Sequence, residues 1–232
     1  MGQLTDQITV KAYQHAYSQG YDHHYPNENI VRLEGAFLSK SKGKCLDYGY
    51  GFSENLIHLA RKGYETYGID IDETLVQKTQ KKIYDRKLDL QYKPQLTTIS
   101  DSTDRLPYED NFFDCLLSNQ VVYLLADEEK VKFLLEEFYR VVRPGGQILI
   151  SLMGEKNVCC VKGKYLGGCV YEYDDSSKMN KIKGGFLHRY YIVHSEAHIK
   201  WLFQKFNIDE IGSFDNSYLK IGGHHYVVMC HK

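Results

Sequence analysis

The run Asp47-Tyr48-Gly49-Tyr50-Gly51-Phe52-Ser53 constrains this chain more than any other stretch. It stands directly between a short apolar segment, 44–48, and a segment carrying Leu56, Leu59 and Ala60 at helical spacing, with Gly63 as a stop signal. Glycines between a buried strand and a helix let the backbone turn tightly and admit another group close to it, with a helix N-terminus behind. Ser53 is the expected N-cap of that helix.

The same strand–helix texture continues. Residues 64–69 read as a second strand, Asp72 as the cap of a helix of about 13 residues, 95–99 as a third strand and 112–118 as a fourth. Asp127 opens a long amphipathic helix to Val142, closed by Pro144-Gly145-Gly146, and 147–152 is a fifth, nearly all-apolar strand. Repeated β-α-β order with apolar strands predicts a mostly parallel sheet covered on both faces, doubly wound. Before it, 4–20 and 27–40 read as two helices, with Ile30, Leu33, Ala36 and Phe37 on one face. After Gly154 the rhythm stops. Residues 155–190 mix Gly, Lys and Tyr without a period, which suits a functional segment facing a ligand. A helix over 195–206 and strands at 208–214 and 226–230, joined at Gly222-Gly223, close the chain. We therefore expect one α/β domain over 1–232: a helical cap (1–43), a core (44–152), an insertion (153–194) and a closing helix and strands (195–232).

Twenty-nine basic and thirty acidic residues give a net charge of -1, which argues against a broad phosphate-neutralising surface and so against nucleic acid as a partner. The start lacks the pattern of a signal peptide, and no apolar stretch is long enough to span a bilayer, so a cytoplasmic protein is expected. The composition leaves room for a homodimer. Cys45, Cys115 and Cys230 fall in strand-like runs, where cysteine acts as a small hydrophobe; Cys159, Cys160 and Cys169 fall in the Gly/Lys-rich stretch. None has C-x-x-C spacing, and the His23-His24 and His224-His225 pairs lack partners at ligand spacing, so no metal site is expected.

Asp70 ends the second strand about 20 residues beyond the glycine turn, where a carboxylate can take both ribose hydroxyls of a nucleoside. A dinucleotide fingerprint wants Gly at position 54, but Glu54 stands there and repels a pyrophosphate. No phosphate-cradling G-x-x-x-x-G-K-[ST] loop is present. A cofactor with a positive sulfonium and no phosphate suits this acidic turn better.

The residues now resemble a known family. Cys45-Leu46-Asp47-Tyr48-Gly49-Tyr50-Gly51 resembles motif I of class I S-adenosylmethionine (SAM)-dependent methyltransferases, and Gly68-Ile69-Asp70 the end of their second strand. Ser100-Asp101-Ser102 with Leu106-Pro107-Tyr108, the stretch from Asn111 to Tyr123, and Glu137 to Gly146 agree in order and spacing. Tyr50 departs from the small residue common at its place. The resemblance covers 44–152 and implies a Rossmann-like, seven-stranded fold, SAM as cofactor and S-adenosylhomocysteine as product. It implies that Asp47, Gly49 and Gly51 line the methionine arm, that Asp70 holds the ribose, and that Ile71 packs on the adenine. Asp101 and the amide of Ser102 would meet the ring, and Asn119 would sit near the sulfonium. Tyr25-Pro26-Asn27-Glu28 and Arg32 resemble the segment that closes over the cofactor in small-molecule members, Arg32 pairing with its carboxylate; Arg32 reads equally well as a solvated helix arginine.

Methyl transfer needs positioning more than covalent help, because the sulfonium is already a strong electrophile. Tyr123, just after the fourth strand, is a candidate to touch the acceptor. His188, with His194 and His198, lies in or just after the insertion, where a base could serve a hydroxyl acceptor. Nucleic-acid amino methyltransferases commonly carry an Asn/Asp-Pro-Pro-Tyr tetrad after the fourth strand; here Asn119-Gln120-Val121-Val122-Tyr123 lacks the prolines. A small-molecule acceptor is therefore preferred. Two rivals stay open: a non-catalytic module that binds SAM or S-adenosylhomocysteine, and an NAD-dependent oxidoreductase.

Overall fold

The computed structural model describes residues 7–20, 22–100, 103–173, 188–216 and 222–232. Asp101 and Ser102 lie outside the described residues. Two helices, α1 (Gln7–Ser18) and α2 (Glu28–Ala36), precede the sheet, the second capped by the Asn27 side chain on the amides of Asn29 and Ile30. Then β1 (Lys44–Tyr48), α3 (Glu54–Arg61), β2 (Glu65–Asp70), α4 (Thr74–Asp85), β3 (Gln95–Thr98), β4 (Phe113–Ser118), α5 (Glu128–Val141) and β5 (Val142–Met153) alternate as the apolar pattern requires. The strands stand in the order β3-β2-β1-β4-β5-β10-β9, with β9 (Asn207–Asp215) and β10 (His224–His231) completing a seven-stranded sheet. Pairs among β1 to β5 are parallel; β10 runs antiparallel to both β5 and β9. The order reverses between β1 and β4, and such a switch point opens a crevice at the strands' carboxyl ends.

Alternation along each strand sends residues to opposite faces. Leu46, Leu116, Ile148 and Ile150 pack with Val131, Leu134, Phe138 and Val141 of α5 and with Ile199 and Leu202 of α7 (Glu196–Leu202). Cys45, Cys115, Leu117 and Leu149 pack on the other face with Ile30, Phe37, Leu59 and Tyr64. The sheet is thus covered on both sides, and Cys45, Cys115 and Cys230 are fully buried free thiols.

Local chemistry fixes the connections. Asp127 caps α5 by accepting from the Lys130 amide. Arg140 on α5 donates to the carbonyls of Leu106 and Tyr108 while pairing with Glu137, whose carboxylate accepts from the Leu106 amide. That network secures the Leu106-Pro107-Tyr108 turn.

Three local expectations change. Ser53 occupies the cap position of α3 in a left-handed conformation (φ 64°), so its hydroxyl donates to the Phe52 carbonyl and caps nothing. Strand β5 begins at Val142 rather than 147; Val142 pairs with Phe113, and the Pro-Gly-Gly run is absorbed as a shift of register before Gln147 pairs with Cys115. The insertion is not wholly irregular either. After the single turn α6 (Val158–Val161), β6 (Lys164–Gly167), β7 (Val170–Tyr173) and β8 (His188–Tyr191) form a three-stranded antiparallel sheet. Among the described residues, no helix is long and apolar enough to cross a membrane.

Candidate active site

The glycine turn is bound to the end of β2. The amides of Gly49 and Tyr50 both donate to the Ile69 carbonyl, at 2.7 and 3.3 Å. The Asp70 carboxylate accepts from the Gly51 amide at 2.7 Å and from the Ile71 amide at 2.7 Å. Turn and carboxylate therefore meet in one place, at the switch point. Gly49 has φ 73°, and a Cβ there would stand 2.4 Å from Cγ2 of Val121. Only glycine fits both the conformation and the space.

Around this junction lies a cavity of about 500 Å³. Its walls include Gly49, Gly51, Asp70, Ile71 and Asn119 from the strand ends, with Tyr25 at the rim and Tyr123 from a 3₁₀ turn at Val122–Leu125. Asn119 accepts from the Ser151 hydroxyl, which itself accepts from the Gln120 amide, so β5 holds the loop after β4 in place. The rim segment 25–27 is held by the Asn27 amide donating to Asn55 on α3.

Two acids define the electrostatics. Burial pushes the Asp70 carboxyl up to about 6, against the pull of the amides that donate to it. Asp47, 2% exposed, lies behind the turn rather than on the cavity wall. Its Oδ2 receives no hydrogen bond among the described residues. Burial, reinforced by the Asp70 charge, raises Asp47 to about 8. The hydroxyls of Tyr48 and Tyr50 are also pushed up by burial and then by Asp70.

Glu54 is on the wall as well, but its charge is compensated. Arg86 grips it with two hydrogen bonds of 2.8 and 2.7 Å, and Lys82 adds a third at 3.1 Å. Burial would raise its pKa; these cations hold it below the usual carboxylate range. The repulsion that the sequence alone assigns to Glu54 is thus largely cancelled, and the case against a pyrophosphate rests on the other features.

Some sequence candidates do not reach the cavity. Arg32 is exposed on α2, one turn beyond Glu28, and pairs with that residue. His188 is buried at the start of β8, its ring stacked on Tyr190 at 5.9 Å. It approaches the cavity only through a chain of rings, since Tyr190 lies 6.0 Å from Tyr123. No described residue of the insertion lines the cavity; the insertion packs instead behind Tyr123, where Met153, Cys159 and Ile192 form a small core. The structure adds wall residues to which the sequence assigned no site role: Tyr13 and Tyr17 of α1, His23, and Phe52, on whose ring His23 and Tyr17 stand edge-on. Their one signal was the i, i+4 spacing of Tyr13 and Tyr17, which any helix could bury.

Comparison with known proteins agrees with this geometry. Residues 46–150 match the family described as the methyltransferase domain. Phosphoethanolamine N-methyltransferase 2 of Caenorhabditis elegans is 30% identical over 139 residues, covering 59% of this chain and 28% of that protein. A tRNA (carboxymethyluridine(34)-5-O)-methyltransferase of Arabidopsis thaliana is 38% identical over 60 residues, covering 26% of this chain and 15% of its own length. The chain thus spans well under a third of these two relatives. A SAM-dependent methyltransferase from Methanosarcina mazei superposes with a TM-score of 0.70 at 18% identity, over 90% of this chain and 99% of that one, which speaks to the fold. Residues 46–150 are thus similar to a methyltransferase domain, and the sheet order is that of the Rossmann-like class I methyltransferase fold.

Proposed function

We propose that this protein transfers the methyl group of SAM to a small-molecule acceptor. The observation that carries the reading is the direct hydrogen bond between the glycine turn and Asp70 inside one cavity. A carboxylate offers about four lone-pair sites, and Asp70 uses some of them on the backbone amides of Gly51, Ile71 and Asp72. The remainder face a diol well. Asp47 supplies a buried acceptor in want of a donor, close behind the turn that would carry the methionine arm and its ammonium. Ile71 and Ile99 give the cavity an apolar wall for a planar base.

SAM supplies an electrophilic methyl on a sulfonium. The chain's part is to hold donor and acceptor in line in a space with little water. Asn119, fixed by Ser151, stands where the fourth strand opens on the cavity. Tyr123 forms the wall between cavity and insertion, so in this reading the described residues of the insertion act on the acceptor only through the Val122–Leu125 turn. The aromatic rim of Tyr13, Tyr17, His23, Tyr25 and Phe52 suits a compact, flat or cationic acceptor better than a polynucleotide backbone.

An acceptor screen that reads released S-adenosylhomocysteine tests the reading. Turnover with a metabolite and none with RNA is the expected result. Stabilisation by NADH alone in a thermal-shift panel would overturn the donor assignment. Binding of SAM without turnover on any acceptor would favour a non-catalytic module.

A further inference from the structure

Behind the Val122–Leu125 turn, three segments distant in sequence bring unlike side chains together. Glu128 opens α5, Cys169 sits between β6 and β7, and His198 lies in the first turn of α7. One ligand atom from each lies within 4.8 Å of the other two, and all three residues are partly buried. The backbone around the thiol is unusual. Gly167, Gly168 and Cys169 all have positive φ, at 103°, 53° and 63°. A cysteine in that region is strained, and such strain persists only where the surroundings enforce it.

The neighbours are well defined. The buried Tyr191 hydroxyl is 2.9 Å from His198 Nε2 and 3.4 Å from Glu128 Oε2. Lys132 pairs with the other oxygen of Glu128 at 3.0 Å, leaving Oε2 on the cluster side.

We propose that Glu128, Cys169 and His198 bind a borderline-soft divalent cation of the Zn²⁺ class, which fastens the insertion to α5 and α7. A thiolate, an imidazole and a carboxylate are the donors such an ion selects. With bonds of about 2.0–2.3 Å, a tetrahedral ion sets these donors about 3.3–3.5 Å apart, so each pair here closes by about 1.5 Å at most. The fourth position goes to water. The balance is simple: the Cys169 S–H bond breaks, a metal–sulfur bond forms, and one proton leaves to solvent. Local spacing rules miss this set because each donor comes from a different element. The site is independent of the methyl-transfer reading, although it backs the wall that carries Tyr123, Leu124 and Leu125.

The test uses the whole chain with Zn²⁺ in equilibrium dialysis and Co²⁺ in absorption spectroscopy. One metal per chain and a thiolate-to-cobalt charge-transfer band are expected. Cys169→Ser should remove the band and weaken binding at least about 100-fold, and His198→Gln should weaken it about 10- to 100-fold. Cys160→Ser, which alters a neighbouring thiol, should retain both. Absence of the band in the unaltered protein overturns the proposal whatever the variants do. So does a band that survives Cys169→Ser in a variant with unchanged circular dichroism, or one that follows Cys160 instead. The cluster would then be a hydrogen-bonded joint centred on Tyr191.

Discussion

The two halves of this molecule solve the burial problem differently. From β1 to β5, parallel strands end at one edge, and their connecting loops converge on a single cavity bounded by glycines and acids. From 153 onward, hairpin-like antiparallel pairs dominate, and their described residues touch the cavity wall only from behind. The first half makes a site by topology, since every crossover returns a loop to the same edge. The second half makes a wall. The cavity and the support behind its wall thus reside in separate pieces of chain.

The contrast is most easily broken at Gly49. Gly49→Ala places a Cβ against Val121 in a left-handed backbone. It should cost about 2–4 kcal/mol of stability and at least about 100-fold in S-adenosylhomocysteine affinity, read by urea unfolding and calorimetry. Alanine substitution of Val121 in the same chain should recover part of the loss; no recovery would mean that the clash is not the cause.

Asp70→Ala comes next. Affinity for S-adenosylhomocysteine should fall about 100-fold, the worth of hydrogen bonds to a charged group. The fold should persist, because burial already disfavours the ionised form of this acid. Unchanged affinity by calorimetry would remove Asp70 from the ribose role.

A pH series probes the same acids. Asp47 and Asp70 sit at about 8 and about 6 in the fold, above the ordinary carboxylate value near 4. Between that value and pH 8 the folded state binds more protons than the unfolded one, so stability falls as pH rises and levels off above about 8. The melting temperature of the ligand-free protein should therefore be higher at pH 5.5 than at pH 8, roughly either side of the Asp70 value. Asp47→Asn should flatten the slope; an unaltered slope would assign it to other groups.

Tyr123 marks the border between the halves. Tyr123→Phe keeps the ring packing and should leave cofactor affinity within about twofold while lowering turnover about tenfold, the worth of one hydrogen bond to the acceptor. Equal turnover would leave Tyr123 a packing residue. The smallest effect belongs to Arg32→Ala. Its ion pair with Glu28 is solvated and away from the cavity, so affinity should change less than about twofold. A large drop would require the segment after Asn27 to close over the ligand.

The sequence by itself determined the parallel core. Apolar runs of strand length, helices with one apolar face, and glycines where the chain must reverse are local properties, and they placed β1 at residues 44–48 as observed. It also brought the turn at 47–53 and Asp70 to one edge, because β-α-β order leaves little choice of geometry. Tertiary structure alone decided which rings form the rim, that Glu54 is neutralised by Arg86 and Lys82, that Arg32 stays in solvent, and that Glu128, Cys169 and His198 meet. Those outcomes depend on distances between segments whose spacing in sequence carries no periodic signal. Only packing, acting on the whole chain at once, sets them.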